Sequence, residues 1–277
     1  VIRLGHIDYA NCFPVHARFL AESCPAGVEI TTGVPADLNA RLAAGSLDIA
    51  PCSSIEYARH HAEYRLLPGL SIASDGVVSS IRLESAVPLD ALGGGTVCVP
   101  TASATSVVLL RILLEQRRGL APEYRWYRQG EGVDPLAEGA VAALRIGDVA
   151  LRRSAPTGRP VLDLGEDWTD WTGLPFVYAV WQARRDVDVS ALHTLHDRLR
   201  DSLDWFRGHA ASLAEAEAPR YGLTAAVLLR YWHSLRYDLD SRMQQGLLEY
   251  YRRAAELGEP AVPGIDWAIE PAPSTRP

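Results

Sequence analysis

The sequence predicts an α/β protein of two lobes with a ligand cleft between them. Three observations support this. Strand-like and helix-like stretches alternate from the start of the chain. The alternation restarts near residue 88. Two apolar segments, 77–84 and 175–183, stand where the chain would leave the first unit and return to it. Alternation of this kind means a parallel sheet with helices on its faces. At 277 residues the chain lies where single cores begin to divide.

Residues 1–7 are apolar-rich and extended, and 28–32 form a short β-branched strand. Leu38 and Leu42 give 35–44 a helical spacing, with Pro35 near its start and Gly45 past its end, the usual asymmetry. A buried-strand run follows at 47–50 and a helix at 54–61. The second unit opens with a helical turn at 88–92, the loop Gly93-Gly94-Gly95 and a strand at 96–99. A dinucleotide fingerprint places its glycines between strand and helix; these precede a strand and read as a turn. An amphipathic helix spans 105–118, closed by Arg117, Arg118 and Gly119. Residues 140–146 form another strand, and Gly147-Asp148 begins the next turn or helix. From 190 to about 258 the pattern is helical, with Leu192, Leu195, Leu199 and Leu203 at helix spacing. The Pro-rich tail, 259–277, is expected to be mobile. Lobe I then comprises 1–83 with 182–277, and lobe II 84–181. Two lobes joined by two crossing strands, then helices, describe a type II periplasmic-binding-protein-like fold. That analogy by itself carries no chemistry.

Composition removes several chemistries. All 27 basic residues are Arg, so a lysine Schiff base and a phosphate-loop lysine are both excluded. A net charge of −7 and the absence of a basic run argue against a nucleic-acid partner. No apolar run approaches the ~20 residues of a membrane span. The chain opens on a strand pattern rather than a leader, although no Met begins it. The four cysteines are scattered without a CxxC and are expected to be reduced thiols of a cytosolic protein. His193 and His196, three apart on a helix, have a metal-compatible spacing, but a solvated face is the expected reading. No metal or cofactor is expected.

The most informative feature is a repeated order of strand, small hydroxyl residues and helix. It occurs at Ile49-Ala50-Pro51-Cys52-Ser53-Ser54, at Val99-Pro100-Thr101-Ala102-Ser103-Ala104-Thr105-Ser106, and in altered form at Ile146-Gly147-Asp148. Such junctions line the crevice of parallel sheets, and their helix N-termini suit carboxylates. Capping is the competing reading: Ser53 with Glu56 forms a capping box, and Ser103, Thr105 or Asp148 can each cap its own helix. Asn11 stands between a strand end and a Pro-defined turn. Ser79 and Ser80 lie on the first crossing, facing opposite sides if it is a strand. Phe176 is expected around the cleft. There is no GxSxG, and nothing marks a hydrolase.

The same segments resemble a known family. Gly5-His6-Ile7-Asp8-Tyr9-Ala10-Asn11-Cys12-Phe13-Pro14 looks like the opening of the chorismate dehydratases of the futalosine route to menaquinone. Pro35-Ala36-Asp37-Leu38-Asn39, Gly45-Ser46-Leu47-Asp48-Ile49-Ala50, Ser53-Ser54-Ile55-Glu56-Tyr57, Ser74-Asp75-Gly76-Val77-Val78-Ser79-Ser80, Ser103-Ala104-Thr105-Ser106, Ile146-Gly147-Asp148-Val149-Ala150-Leu151 and Trp171-Thr172-Gly173-Leu174-Pro175-Phe176 follow in the family's order. Arg145 departs from the pattern, standing where many relatives have Leu. It either adds a cation near the cleft or points away on the sheet's other face.

The resemblance implies a cytoplasmic enzyme, monomeric or homodimeric, that converts chorismate to 3-[(1-carboxyvinyl)oxy]benzoate and water without a cofactor. It implies substrate contacts from Ser53, Ser54, Ser79, Ser80, Ser103, Ala104, Thr105, Ser106, Ile146, Gly147 and Phe176, with Asn11 and Asp148 as catalytic candidates. A sibling enzyme, 1,4-dihydroxy-6-naphthoate synthase, and a non-catalytic organic-anion binding protein are the alternatives.

Overall fold

Strands and helices alternate through the first half of the chain in the computed structural model, which describes residues 1–130, 132–153 and 158–271. The elements are β1 (Ile2–Ile7), α1 (Phe13–Ala21), β2 (Val28–Gly33), α2 (Pro35–Ala43), β3 (Ile49–Ser53), α3 (Ser54–Arg59), β4 (Tyr64–Ser74), β5 (Ile81–Ser85), β6 (Thr96–Pro100), α4 (Ala104–Arg111), β7 (Glu123–Tyr127), β8 (Ala142–Ile146), α5 (Gly147–Arg152), β9 (Val161–Asp163), α6 (Leu164–Thr172), β10 (Phe176–Arg184), α7 (Val189–Tyr221), α8 (Ala225–Ser234), β11 (Leu235–Arg236) and α9 (Ser241–Glu256).

They form two sheets, ordered β11-β4-β10-β3-β1-β2 and β7-β6-β8-β5-β9. In the first, β1 runs parallel to β2 and β3, and β10 returns antiparallel between β3 and β4. In the second, β6 is parallel to β7 and β8, and β5 lies antiparallel between β8 and β9. β5 belongs wholly to the second sheet and β10 wholly to the first. The crossings therefore lie at 75–80 and 173–175, ahead of the expected boundaries at 83/84 and 181/182, and each is a short link feeding a strand.

Local chemistry explains most element ends. α2 has proline in its first turn, and Gly45 follows it with φ +72°. α4 continues as a π-type turn over Ile112–Arg117, and Arg118 then grips Asp167 with two hydrogen bonds of 2.7 and 2.6 Å. Asp163 caps α6 by accepting from the N–H groups of Gly165 and Glu166. Leu192, Leu195, Leu199 and Leu203 are buried on one stripe of α7, as their spacing requires.

The tail is a correction. Leu66 N–H donates to the Asp266 carbonyl at 2.9 Å and Ala268 N–H to the Leu66 carbonyl at 2.8 Å. Ala268 and Ile269 are buried, so this apolar stretch docks against β4. The tail's last residues, 272–277, lie outside the described ones.

Candidate functional site

Both sheets contribute walls to one cleft. Ile7, Tyr9 and Asn11 reach it at alternate positions, so the period of β1 persists into the turn before α1. Ser53 enters from the end of β3, Ser80 from the first crossing, Ser103 and Ser106 from the start of α4, and Ile146 and Gly147 from the β8–α5 junction. Gly147 has φ +60°, and a Cβ there would stand 3.5 Å from the Tyr9 ring. The junction therefore needs glycine for its conformation, while the Tyr9 ring of the other lobe packs at ordinary contact distance over it. Although the chain has 27 arginines, no charged side chain is among those lining the cleft in the described residues.

Hydroxyl bonding decides which groups remain available to a ligand. Ser103 caps α4, accepting from Ser106 N–H at 3.3 Å, and the Ser103 and Ser106 hydroxyls lie 2.9 Å apart. Whichever hydroxyl donates within this pair, the other keeps its proton for the cleft. Ser80 Oγ accepts from Tyr231 at 2.8 Å. The Asn11 amide oxygen is buried without a protein partner among the described residues. Ser53 makes no side-chain cap bond, so the capping-box reading fails there and its hydroxyl faces the cleft.

Other sequence candidates serve different ends. Ser54 Oγ donates to the Val177 carbonyl at 2.8 Å, and Thr105 accepts from Ile55 N–H at 3.2 Å. Both side chains are fully buried, joining the lobes rather than lining the cleft. Ala104 sits in the first turn of α4, also outside the lining residues. Phe176 is core, packed against Trp168, Tyr178 and Tyr250. Ser79 is not on a strand. It has φ +63°, uncommon for a residue with a Cβ, and it and Val78 both donate their N–H groups to Asp163. Arg145 points away from the cleft, with Nε 3.1 Å from Glu84 and Nη2 2.7 Å from Asp134.

Asp148 stands behind the wall. It accepts from Ala10 N–H at 3.2 Å and does not cap α5. Burial pushes its carboxyl up to about 6, opposed by the Ala10 hydrogen bond and by Arg152.

Two lining tyrosines were not anticipated. Tyr9 was legible in the alternation Ile7, Tyr9, Asn11. Tyr178 and Ala179 both line the cleft because β10 carries a bulge between Val177 and Ala179, which breaks strict alternation.

Beside the cleft lies a cluster of His6, Cys12 and His16, all buried. Trp181 Nε1–H donates to His16 Nε2 at 3.1 Å. That fixes the His16 proton on Nδ1, which donates to His6 Nδ1 at 2.8 Å and leaves the His6 proton on Nε2. Burial lowers His6 to about 4 and His16 well below its usual value, and raises the Cys12 thiol to about 12. A metal bridging the two Nδ1 atoms would force the His16 proton to Nε2, against the Trp181 donor. This arrangement is a neutral hydrogen-bond chain.

Sheets, crossings and cleft together define a two-lobed α/β binding fold with its cleft between the lobes. Solved structures share it: a protein from Archaeoglobus fulgidus superimposes with a TM-score of 0.79 at 20% identity, covering 93% of this chain and 97% of that one. The periplasmic aliphatic sulphonate binding protein SsuA of Escherichia coli gives 0.68 at 13% identity, over 99% and 94%. The menaquinone biosynthesis family model matches residues 2–256, and the chain belongs to that family. The chorismate dehydratase of Thermus thermophilus is 34% identical over 278 aligned positions, covering 94% of this chain and 96% of the relative.

Proposed function

We propose that this protein is a chorismate dehydratase, converting chorismate to 3-[(1-carboxyvinyl)oxy]benzoate and water. The observation that carries the reading is a cleft of uncharged donors, from both lobes, in a chain that matches a chorismate dehydratase over nearly its whole length. The ring carboxylate of chorismate is conjugated through the diene to the carbon bearing the enolpyruvyl ether. Removing that carbon's proton gives a dienolate, which expels the neighbouring hydroxyl and becomes aromatic. The proton and the hydroxide leave as water.

Charge grows on the ring carboxylate, so preorganised donors there lower the barrier. Ser80, Ser103 and Ser106 supply them in this reading, and Asn11 holds the enolpyruvyl carboxylate or the hydroxyl. No His or Lys base lines the described cleft. The enolpyruvyl carboxylate itself takes the ring proton, because well-held intramolecular groups reach effective molarities of ~10⁵–10⁸ M. Asp148, held against Ala10 outside the lining, keeps the turn before Asn11 in place. The reaction belongs to the futalosine route in the cytoplasm.

Purified protein incubated with chorismate and chelator tests this directly. The expected product is an aromatic acid lighter by one water that retains the enolpyruvyl group. Tight binding without turnover would make the chain a binding protein, and neither would redirect attention to the naphthoate synthase substrate.

A further inference from the structure

Tyr231 and Trp232, neighbours on α8, reach two separate parts of the cleft wall. Trp232 Nε1–H donates to the Ala10 carbonyl at 2.7 Å, next to Asn11. The Tyr231 hydroxyl donates to Ser80 Oγ at 2.8 Å. Both rings are buried, and burial raises the Tyr231 phenol far above its ordinary value, keeping it a donor at every working pH. Ser80 is held by its backbone as well: its N–H donates to the Val78 carbonyl and its carbonyl accepts from Gly147 N–H, each at 2.7 Å. With the oxygen fixed and one lone pair occupied, the Ser80 proton has no protein acceptor among the described residues. It is left for the cleft. Ser54 makes the contrast, since its proton is spent on the Val177 carbonyl.

We propose that Tyr231 is a positioning residue: by donating to Ser80 Oγ it fixes Ser80 as a donor to the ring carboxylate of the substrate, where charge develops. This rests on the dehydratase reading above. A preorganised donor of this kind is worth ~10²–10³ in kcat. Removing only its orienting partner costs less, about tenfold.

The test is a double-mutant cycle of Tyr231→Phe and Ser80→Ala, with kcat, KM and urea unfolding measured for each. Tyr231→Phe is expected to lower kcat about tenfold with KM nearly unchanged, and to cost nothing further once Ser80 is alanine. Equal losses in both backgrounds, or a stability change with kcat intact, overturn the proposal. An independent reading uses the native protein. The Tyr231 hydroxyl proton should exchange slowly in NMR and shift when product is added, and a resonance that does not move overturns the proposal too. If native protein fails to convert chorismate, the dehydratase reading falls. The same cycle, read on chorismate affinity by calorimetry, then still decides the role of Tyr231.

Discussion

Thr105 of the second lobe accepts a hydrogen bond, at 3.2 Å, from the backbone N–H of Ile55 in the first. The first N–H groups of a helix lack intrahelical partners, so one lobe completes a helix of the other. α9 repeats the connection, with Tyr251 donating to the Ser54 carbonyl at 2.8 Å and Tyr250 to the Thr105 carbonyl at 3.2 Å. Thr105→Val keeps the shape and removes the acceptor, leaving a buried N–H unpaired. Unfolding free energy in urea should fall by about 1–3 kcal/mol. An unchanged midpoint would mean that Ile55 finds another acceptor.

Asp148 gives a pH dependence of defined sign. Its carboxyl is raised to about 6 in the folded protein, against ~3.9 in an unfolded chain. Below pH ~4 both states hold the proton. As pH rises toward 6 the unfolded state releases it first, so stability falls across that window, by about 3 kcal/mol in all. Asp148→Asn retains an acceptor for Ala10 and should flatten this slope, leaving the variant no less stable than the native protein at pH 7. Its kcat should drop only modestly, because in the proposed mechanism the substrate carries its own base. A loss of several orders would identify Asp148 as the base instead.

Arg145 is only 3% exposed and bridges Glu84 and Asp134. Arg145→Leu leaves Glu84 in a buried site with one cation, Arg159, where the native protein has two. Breaking a buried pair from one side costs about 3–5 kcal/mol, and guanidinium unfolding should show most of it. Arg145→Leu with Glu84→Gln should recover much of the loss. Turnover per folded molecule should match the native protein in both, since the guanidinium points away from the cleft. A large kcat defect in the double variant would contradict that placement.

What the sequence made legible follows physical lines. The alternation that defines a parallel sheet survives folding, so β1, β3, β6 and β8 lie near their expected positions. β4 does not read as a strand because Pro68 and Gly69 interrupt it; a bulge there lets β10 pair with both halves. Strand-end hydroxyls lie at the cleft only in part, and residue type alone does not separate Ser53 and Ser103, which line it, from Ser54 and Thr105, which join the lobes. Tyr231 was out of reach, because its partner Ser80 lies 151 residues away and no local pattern links a helical tyrosine to a crossing serine.

Ser103 combines two duties that substitution can separate. It caps α4 through its side-chain oxygen and stands among the cleft residues. Ser103→Ala removes both, costing about 1 kcal/mol of stability for the cap along with part of the catalysis. Ser103→Asp keeps the cap, since aspartate is as good an N-cap residue as serine, but puts a negative charge where the proposed function seats a carboxylate of the substrate. The aspartate variant should unfold at the native urea midpoint or above it, while its affinity for chorismate in calorimetry falls by at least about 10²-fold, a coulombic penalty of a few kcal/mol at partly buried contact. Chorismate binding to the aspartate variant with near-native affinity would move the substrate carboxylates away from the start of α4, and with them the role assigned to Ser103 and Ser106.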